Sequence, residues 1–215
     1  MIAIVPIRSG SKAIKNKNIK LFDGKPLVWW ILNSLEKTSV KKIIVALDLP
    51  YFTIVNEFDF KKIKIYIRNK KNSRDESSTE DVLIEVIKKF KLDDDILLAQ
   101  ATSPLTVAKD FEKGINLYND SNFDSILSVV KLDRFVWNKN GSPVNYNYEK
   151  RPRRQEFDGT YFENGAFYIN HSSNILKYKN RLSGKIGFSE MSFKNFFELD
   201  NENDWDLIKY LKKIG

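Results

Sequence analysis

The sequence predicts an α/β fold: a doubly wound, mostly parallel sheet in a single domain. Two patterns predict it. Short apolar runs recur at Ile2–Val5, Ile43–Leu47, Ile96–Ala99 and Ser125–Val130, and continuous runs of this kind mark strands buried on both faces. Between them stand segments with apolar residues at helical spacing, so strand and helix alternate as a parallel sheet requires. At 215 residues the chain suits one such domain with a sizeable core.

Ile2, Ile4 and Val5 open the chain as a strand that Pro6 is expected to end. The chain then enters a loop of small residues, Ser9, Gly10 and Ser11, flanked by Arg8, Lys12, Lys15 and Lys17. Small residues let backbone N–H groups close on a polyanion while the cations offset its charge. The spacing is not that of a Walker A loop, and a solvated basic turn would read the same way. Leu21–Lys25 carries a turn signal. Pro26 suits the first turn of a helix whose Leu27, Trp30, Ile31 and Leu35 share one face.

Ile43–Leu47 is the next strand, with Asp48 at its C-terminal end, and Ile63, Ile65 and Ile67 form another. Ser78 with Asp81 three residues on reads as a capping box for a helix carrying Val82, Leu83, Val86, Ile87 and Phe90. Capping alone accounts for Ser78, although a helix N-terminus preceded by Arg74 also suits an anion or a base. Ile96–Ala99 runs into Gln100–Leu105, and polar residues at the C-terminal end of a central strand are where such sheets place ligands. A helix with Phe111, Ile115 and Tyr118 follows, then the strand Ser125–Val130.

From about residue 132 the texture changes. Phe135–Gly141 reads as a strand entering an Asn-Gly hairpin, and Glu149–Gln155 concentrates four cations in the five residues 150–154. Glu163–Ile169 returns to an apolar strand. Residues 132–185 are therefore expected to form a β-rich excursion, a candidate oligomer contact. Near the end, Glu198 and Asp200 stand at i and i+2, so a strand would point both carboxylates to one face, where they could share a divalent cation. Trp205, Ile208 and Leu211 mark a closing helix that Asn201 or Asn203 would cap.

Composition removes several classes of function. Zero cysteines exclude disulfides, thiolate catalysis and Cys-ligated zinc. The single histidine, His171, sits in a turn-like Asn-His-Ser, which argues against a Ser-His-Asp triad. No apolar run reaches the roughly 18 residues of a membrane span, and the strand-like N-terminus lacks a signal-peptide pattern; a cytoplasmic location is expected. The net charge of +8 suggests an anionic partner. Its lysines are dispersed, and no nucleic-acid-binding motif accompanies them.

Taken together, Pro6–Lys12 with Lys17-Asn18, Arg74 with Ser77–Thr79, Gln100–Leu105, Lys150–Gln155, Glu163–Ala166 and Glu198–Asp200 resemble the acylneuraminate cytidylyltransferases, the CMP-sialic acid synthetases, in the family's order and over nearly the whole chain. The resemblance implies a Rossmann-like nucleotidyltransferase fold with a dimerisation excursion, and a partner set of CTP, a nine-carbon α-keto acid sugar and a second copy of the chain. It implies in-line attack of the sugar's anomeric hydroxyl on the α-phosphorus, with pyrophosphate leaving. Arg8, Lys12 and Asp200 would be the catalytic residues. Arg8, Ser9, Gly10, Ser11, Lys12, Asn18, Arg74 and Ser78 would bind the nucleotide, and Gln100, Arg154, Asn164 and Gly165 the sugar. Glu198 and Asp200 would hold Mg²⁺, Glu198 standing where the family has the first aspartate of Asp-x-Asp. The acceptor stays open among N-acetylneuraminate, legionaminate, pseudaminate and related acids. A 3-deoxy-manno-octulosonate cytidylyltransferase, another sugar nucleotidyltransferase and a non-catalytic basic nucleic-acid-binding protein are the alternatives.

Overall fold

A computed structural model describes residues 1–10, 13–73 and 77–214. The elements run β1 (Ile2–Ile7), β2 (Leu21–Phe22), β3 (Lys25–Pro26), α1 (Leu27–Glu36), β4 (Lys42–Leu47), α2 (Phe52–Asn56), β5 (Ile63–Ile67), α3 (Thr79–Phe90), β6 (Asp95–Ala99), α4 (Ala108–Asp120), β7 (Ser125–Leu132), β8 (Thr160–His171), α5 (Ser172–Tyr178), β9 (Ile186–Met191) and α6 (Glu202–Ile214). Seven strands make one sheet in the order β5-β4-β1-β6-β8-β7-β9. β5, β4, β1 and β6 are mutually parallel, and β8 alone runs against its two neighbours.

The sheet is covered on both faces, which is why its strands read as unbroken apolar runs. Ala3, Val5 and Ile7 of β1 and Leu97 and Ala99 of β6 pack with α1, α2 and α4. Ile2 and Ile4, with Ile96 and Leu98, pack against α3 and α5. A third cluster joins the β2–β3 hairpin to α6 through Phe22, Leu27, Leu199, Trp205 and Ile208. Its rim carries ion pairs from Lys17 to Asp200, Lys20 to Glu202 and Lys212 to Asp23.

Three expectations need correction. Pro6 does not end β1, whose ladder with β4 runs on to Ile7. β6 pairs with β1 only through Ile4, so beyond that point its side of β1 has no ladder to lose to a missing amide. The excursion is shorter than 132–185 and is not β-rich: β8 and α5 belong to the main body, and within 133–159 the described pairing is one isolated bridge, Trp137 to Pro143. Aromatic stacking replaces the ladder there, with Phe135 against Tyr146 at 4.1 Å and against Phe157 at 4.8 Å. Finally, residues 197–200 form no strand.

Candidate active site

Four parallel strands each release a polar residue at their C-terminal ends: Arg8 after β1, Asp48 after β4, Arg68 after β5 and Gln100 after β6. Each continues the alternation of a residue packed on the α3 face, namely Ile4, Ala46, Tyr66 and Leu98. Arg8, Arg68 and Gln100 accordingly line a common cavity of about 470 Å³, with Lys17, Asn18 and Thr102 on one side and Ser77–Glu80 and Arg181 on the other. The wall from Ser77 to Glu80 is the entry to α3. Ser78 caps that helix as the sequence predicts: its hydroxyl accepts from the Asp81 amide at 3.1 Å, and Asp81 accepts from the Ser78 amide.

Asp48, 5% exposed, organises the basic loop. One of its oxygens takes Nε and Nη2 of Arg68 at 3.1 and 2.6 Å; the other takes both the amide and the hydroxyl of Ser9 at 2.7 and 3.0 Å. Ser9, expected to face the nucleotide, is thus committed to holding the loop. The Tyr51 hydroxyl donates to the Ser9 carbonyl, and the Asn18 amide donates to the Arg8 carbonyl at 3.0 Å. Gly10 lies exposed just beyond. Ser11, Lys12 and Arg74, three of the expected nucleotide contacts, lie outside the described residues.

The acidic pair comes to the same mouth. Lys17 Nζ donates to the Leu199 carbonyl at 2.8 Å and to Asp200 at 3.2 Å, while the Leu199 amide donates to the Thr102 carbonyl at 2.9 Å. The Asp200 side chain is 69% exposed. Asn201 caps α6, accepting from the Asp204 amide, and Asp204 accepts in return from the amides of Asn201 and Asp200. Glu198 is half-buried, and its carboxyl is pushed up to about 7, first by burial and then by the charge of Asp200, with Glu163 adding to it and Lys17 opposing. Gly165, at φ +68°, sits so close that an added Cβ would collide with the Glu198 carboxylate.

Asn164 is placed elsewhere than expected. Its side chain is 1% exposed, accepting from the Ser128 hydroxyl and donating to the Asn195 carbonyl. The reason is a bulge in β8: Leu127 pairs with Tyr168 and Val129 with Glu163, so two steps along β7 answer to five along β8. Asn164 and Ser128 supply the bonds the interrupted ladder cannot, including those to the amides of Ala166 and Phe167. The same bulge brings Gly165 to Glu198. Arg154 does not line the cavity; it borders separate clefts in the excursion beside Asp133, Arg134 and Phe135.

Asp48, Arg68 and Arg181 join the site without having been assigned to it from the sequence, whereas Lys17 and Thr102 lie in segments the sequence marked without giving either a specific contact. Arg68 had a usable signal, since it is the first residue past a parallel strand; Arg181, in a loop after α5, had none.

A family model described as "Cytidylyltransferase" matches residues 2–214. The chain belongs to that family. Among named cytidylyltransferases, N-acylneuraminate cytidylyltransferase A of Danio rerio is 31% identical over 211 residues, covering 94% of this chain and 48% of the relative. The chain therefore spans about half the length of the first curated relatives it matches. CMP-N,N'-diacetyllegionaminic acid synthase of Legionella pneumophila is 24% identical, covering 100% of this chain and 97% of the relative. Two solved structures share the cytidylyltransferase fold. A CMP:2-keto-3-deoxy-manno-octonic acid synthetase complexed with CTP superposes with a TM-score of 0.71 at 16% identity, covering 99% and 98% of the two chains. A 4-diphosphocytidyl-2C-methyl-D-erythritol synthase from Anaerococcus prevotii gives 0.70 at 12%, covering 99% and 96%. No helix among the described residues is long and apolar enough to cross a membrane.

Proposed function

We propose that this protein transfers a cytidylyl group from CTP to a sialic-type nonulosonic acid, releasing pyrophosphate. The observation that carries the reading is Lys17, which joins the basic loop to the acidic pair at one cavity mouth. The related enzymes named for acylneuraminate and diacetyllegionaminate support the substrate class.

In this reading Arg8 and Lys12 hold the phosphates, and Asn18, Arg74 and Ser78 the nucleoside. Gln100 meets the sugar. Catalysis is mainly positioning and neutralisation of developing charge as the anomeric hydroxyl displaces pyrophosphate in line. Glu198 and Asp200 would hold Mg²⁺. The donor set fits: all-oxygen, with mutually repelling carboxylates that a cation would relieve. Among the described residues no cluster of three or more acidic, His or Cys side chains is present, so substrate oxygens would complete the shell. When bound, such an ion polarises phosphate oxygens and eases loss of a hydroxyl proton.

The same reading makes the protein a cytoplasmic homodimer, since CTP is an intracellular metabolite and exposed aromatics offer a contact. Tyr161 and Phe188 are 45% and 49% exposed and pack on each other. Pairing near them would let Arg154 serve the sugar site of a second copy.

The test is Mg²⁺-dependent pyrophosphate release from CTP with N-acetylneuraminate, N,N'-diacetyllegionaminate, pseudaminate and 2-keto-3-deoxy-manno-octonate. Release that depends on a nine-carbon acid supports the reading and names the acceptor. Release with the octonate alone moves the assignment to that acid, and failure to bind CTP removes the reading altogether.

A further inference from the structure

A second cavity, of about 430 Å³, opens between α1, the entry to α4 and α6. It shares no lining residue with the cavity of Arg8 and Gln100. Four elements each send one lysine to it: Lys37 from the end of α1, Lys109 from the first turn of α4, Lys194 from the short turn Phe193–Phe196, and Lys212 from the last turn of α6. Among the described residues no acidic side chain lines it. Lys212 is bonded to Asp23. Asp110 acts on Lys109 and Lys194, but its half-buried carboxylate is already spent on the Val107 amide at 3.0 Å. Lys37, Lys109 and Lys194 make no side-chain hydrogen bond or ion pair among the described residues. Like charges drawn to one cavity repel, a cost that an anion removes.

Thr106 supplies an observation of a different kind. It lines the same cavity, is 0% exposed, and its hydroxyl has no hydrogen-bond partner among the described residues. Its backbone is fixed on both sides: the amide donates to the Ser103 carbonyl at 3.1 Å, and the carbonyl accepts from the Ser34 hydroxyl at 2.9 Å. Buried hydroxyls are nearly always paired, so this one calls for a partner that the chain does not supply. Two residues on, α4 begins at Ala108 and brings the unclaimed amides of its first turn and the positive end of its dipole. Ammonium groups, helix-entry amides and a hydroxyl together suit phosphate oxygens. The space exceeds what one phosphate fills, and Trp30, Pro104, Leu105 and Val107 make part of the wall apolar. The ligand therefore carries an organic body.

We propose that this cavity is a second ligand site, separate from the catalytic one, that binds a phosphate monoester of a small organic molecule. Lys109 and Lys194 hold the phosphate, the Thr106 hydroxyl donates to one of its oxygens, and the apolar wall receives the body. The proposal does not depend on the cytidylyltransferase reading.

The test titrates the protein with phenyl phosphate and with inorganic phosphate while its backbone amides are followed by NMR, with and without saturating CTP and with no acceptor sugar. The amides from Thr106 to Lys109 are expected to shift saturably under both conditions, at lower concentrations of the ester than of inorganic phosphate. Lys109→Gln/Lys194→Gln is expected to weaken phenyl phosphate on the order of 10-fold. The same charge removed at the start of β4, in Lys41→Gln/Lys42→Gln, should leave affinity within about twofold of wild type. Thr106→Val is expected to keep or raise the urea midpoint, since an unpaired buried hydroxyl is removed, and yet to weaken binding about 3- to 10-fold. Shifts that CTP abolishes would return the ligand to the catalytic cavity and overturn the proposal. So would the absence of saturable shifts, an equal loss in the Lys41/Lys42 variant, or wild-type affinity in either of the other variants. Equal affinity for ester and inorganic phosphate would make phosphate itself the ligand and overturn the monoester assignment.

Discussion

Glu198 and Gly165 set the chemistry of the acidic mouth between them. Gly165 gives the Glu198 carboxylate room in a backbone conformation that L side chains rarely adopt. Gly165→Ala is therefore expected to cost about 1–3 kcal/mol of stability and to weaken the Mg²⁺ response of turnover, read by urea denaturation and a Mg²⁺ titration. Glu198 makes a prediction of definite sign. Its carboxyl lies near 7 in the folded protein against an ordinary 4.5, so folding favours its protonated form. That contribution is complete below about 4.5 and is lost as pH rises through about 7. In Mg²⁺-free buffer, Glu198→Gln should be more stable than wild type at pH 8, by on the order of 1–2 kcal/mol after solvent screening. Near pH 4 the two should converge. Urea midpoints across this range check it, and a difference that grows toward low pH would refute the assignment.

At the scale of elements, α3 and the β8 bulge carry the site's walls. Ser78→Ala removes the cap of α3 and should cost about 1 kcal/mol. If capping is the residue's main work, CTP affinity should fall only modestly, which calorimetry would show. Asn164→Leu should do more damage than its distance from the cavity suggests. It strips bonds from the buried bulge residues, at about 1–3 kcal/mol for each group left unpaired, and releases Gly165 from Glu198. Stability and Mg²⁺ dependence should decline together.

These elements also show how far the sequence could be read. The parallel strands, α1, α3, α4 and α6 were legible, because burial on one stripe or on both faces imposes a period on the side chains. Arg8, Ser78 and Gln100 were legible as cavity residues because they fall at strand ends or a helix entry, whereas Asn18, in the short turn Lys17–Ile19, was marked only by the family resemblance. Asn164 was not: an Asn-Gly pair inside an apolar strand marks a bulge as readily as a ligand site, and only the register with β7 distinguishes them. Arg181 depends on α5 folding back over the sheet, a long-range fact with no local signal. Residues 133–159 misled in another way. Their aromatics read as strand formers but stack on one another rather than pairing in a ladder.

For the whole molecule, the exposed pair of Tyr161 and Phe188 is the feature that asks for a partner. Exposed apolar surface can mark an interaction site, and the two rings pack at 5.4 Å with their planes tilted by 55°. Phe188→Glu is expected to shift sedimentation toward monomer while leaving the urea midpoint nearly unchanged. Loss of turnover in that monomer, with CTP binding retained, would fit a sugar site completed by a second copy. An unchanged sedimentation coefficient would remove this face as the dimer contact.

Lys17 and Leu199 are separated by 182 positions along the chain. During synthesis the basic loop leaves the ribosome long before the segment that must receive its lysine. A nascent chain halted before Glu198 would carry the loop, the parallel strands and α3, and would still lack the carboxylates opposite them. Translation itself thus delays completion of the site until the closing helix is available to hold it.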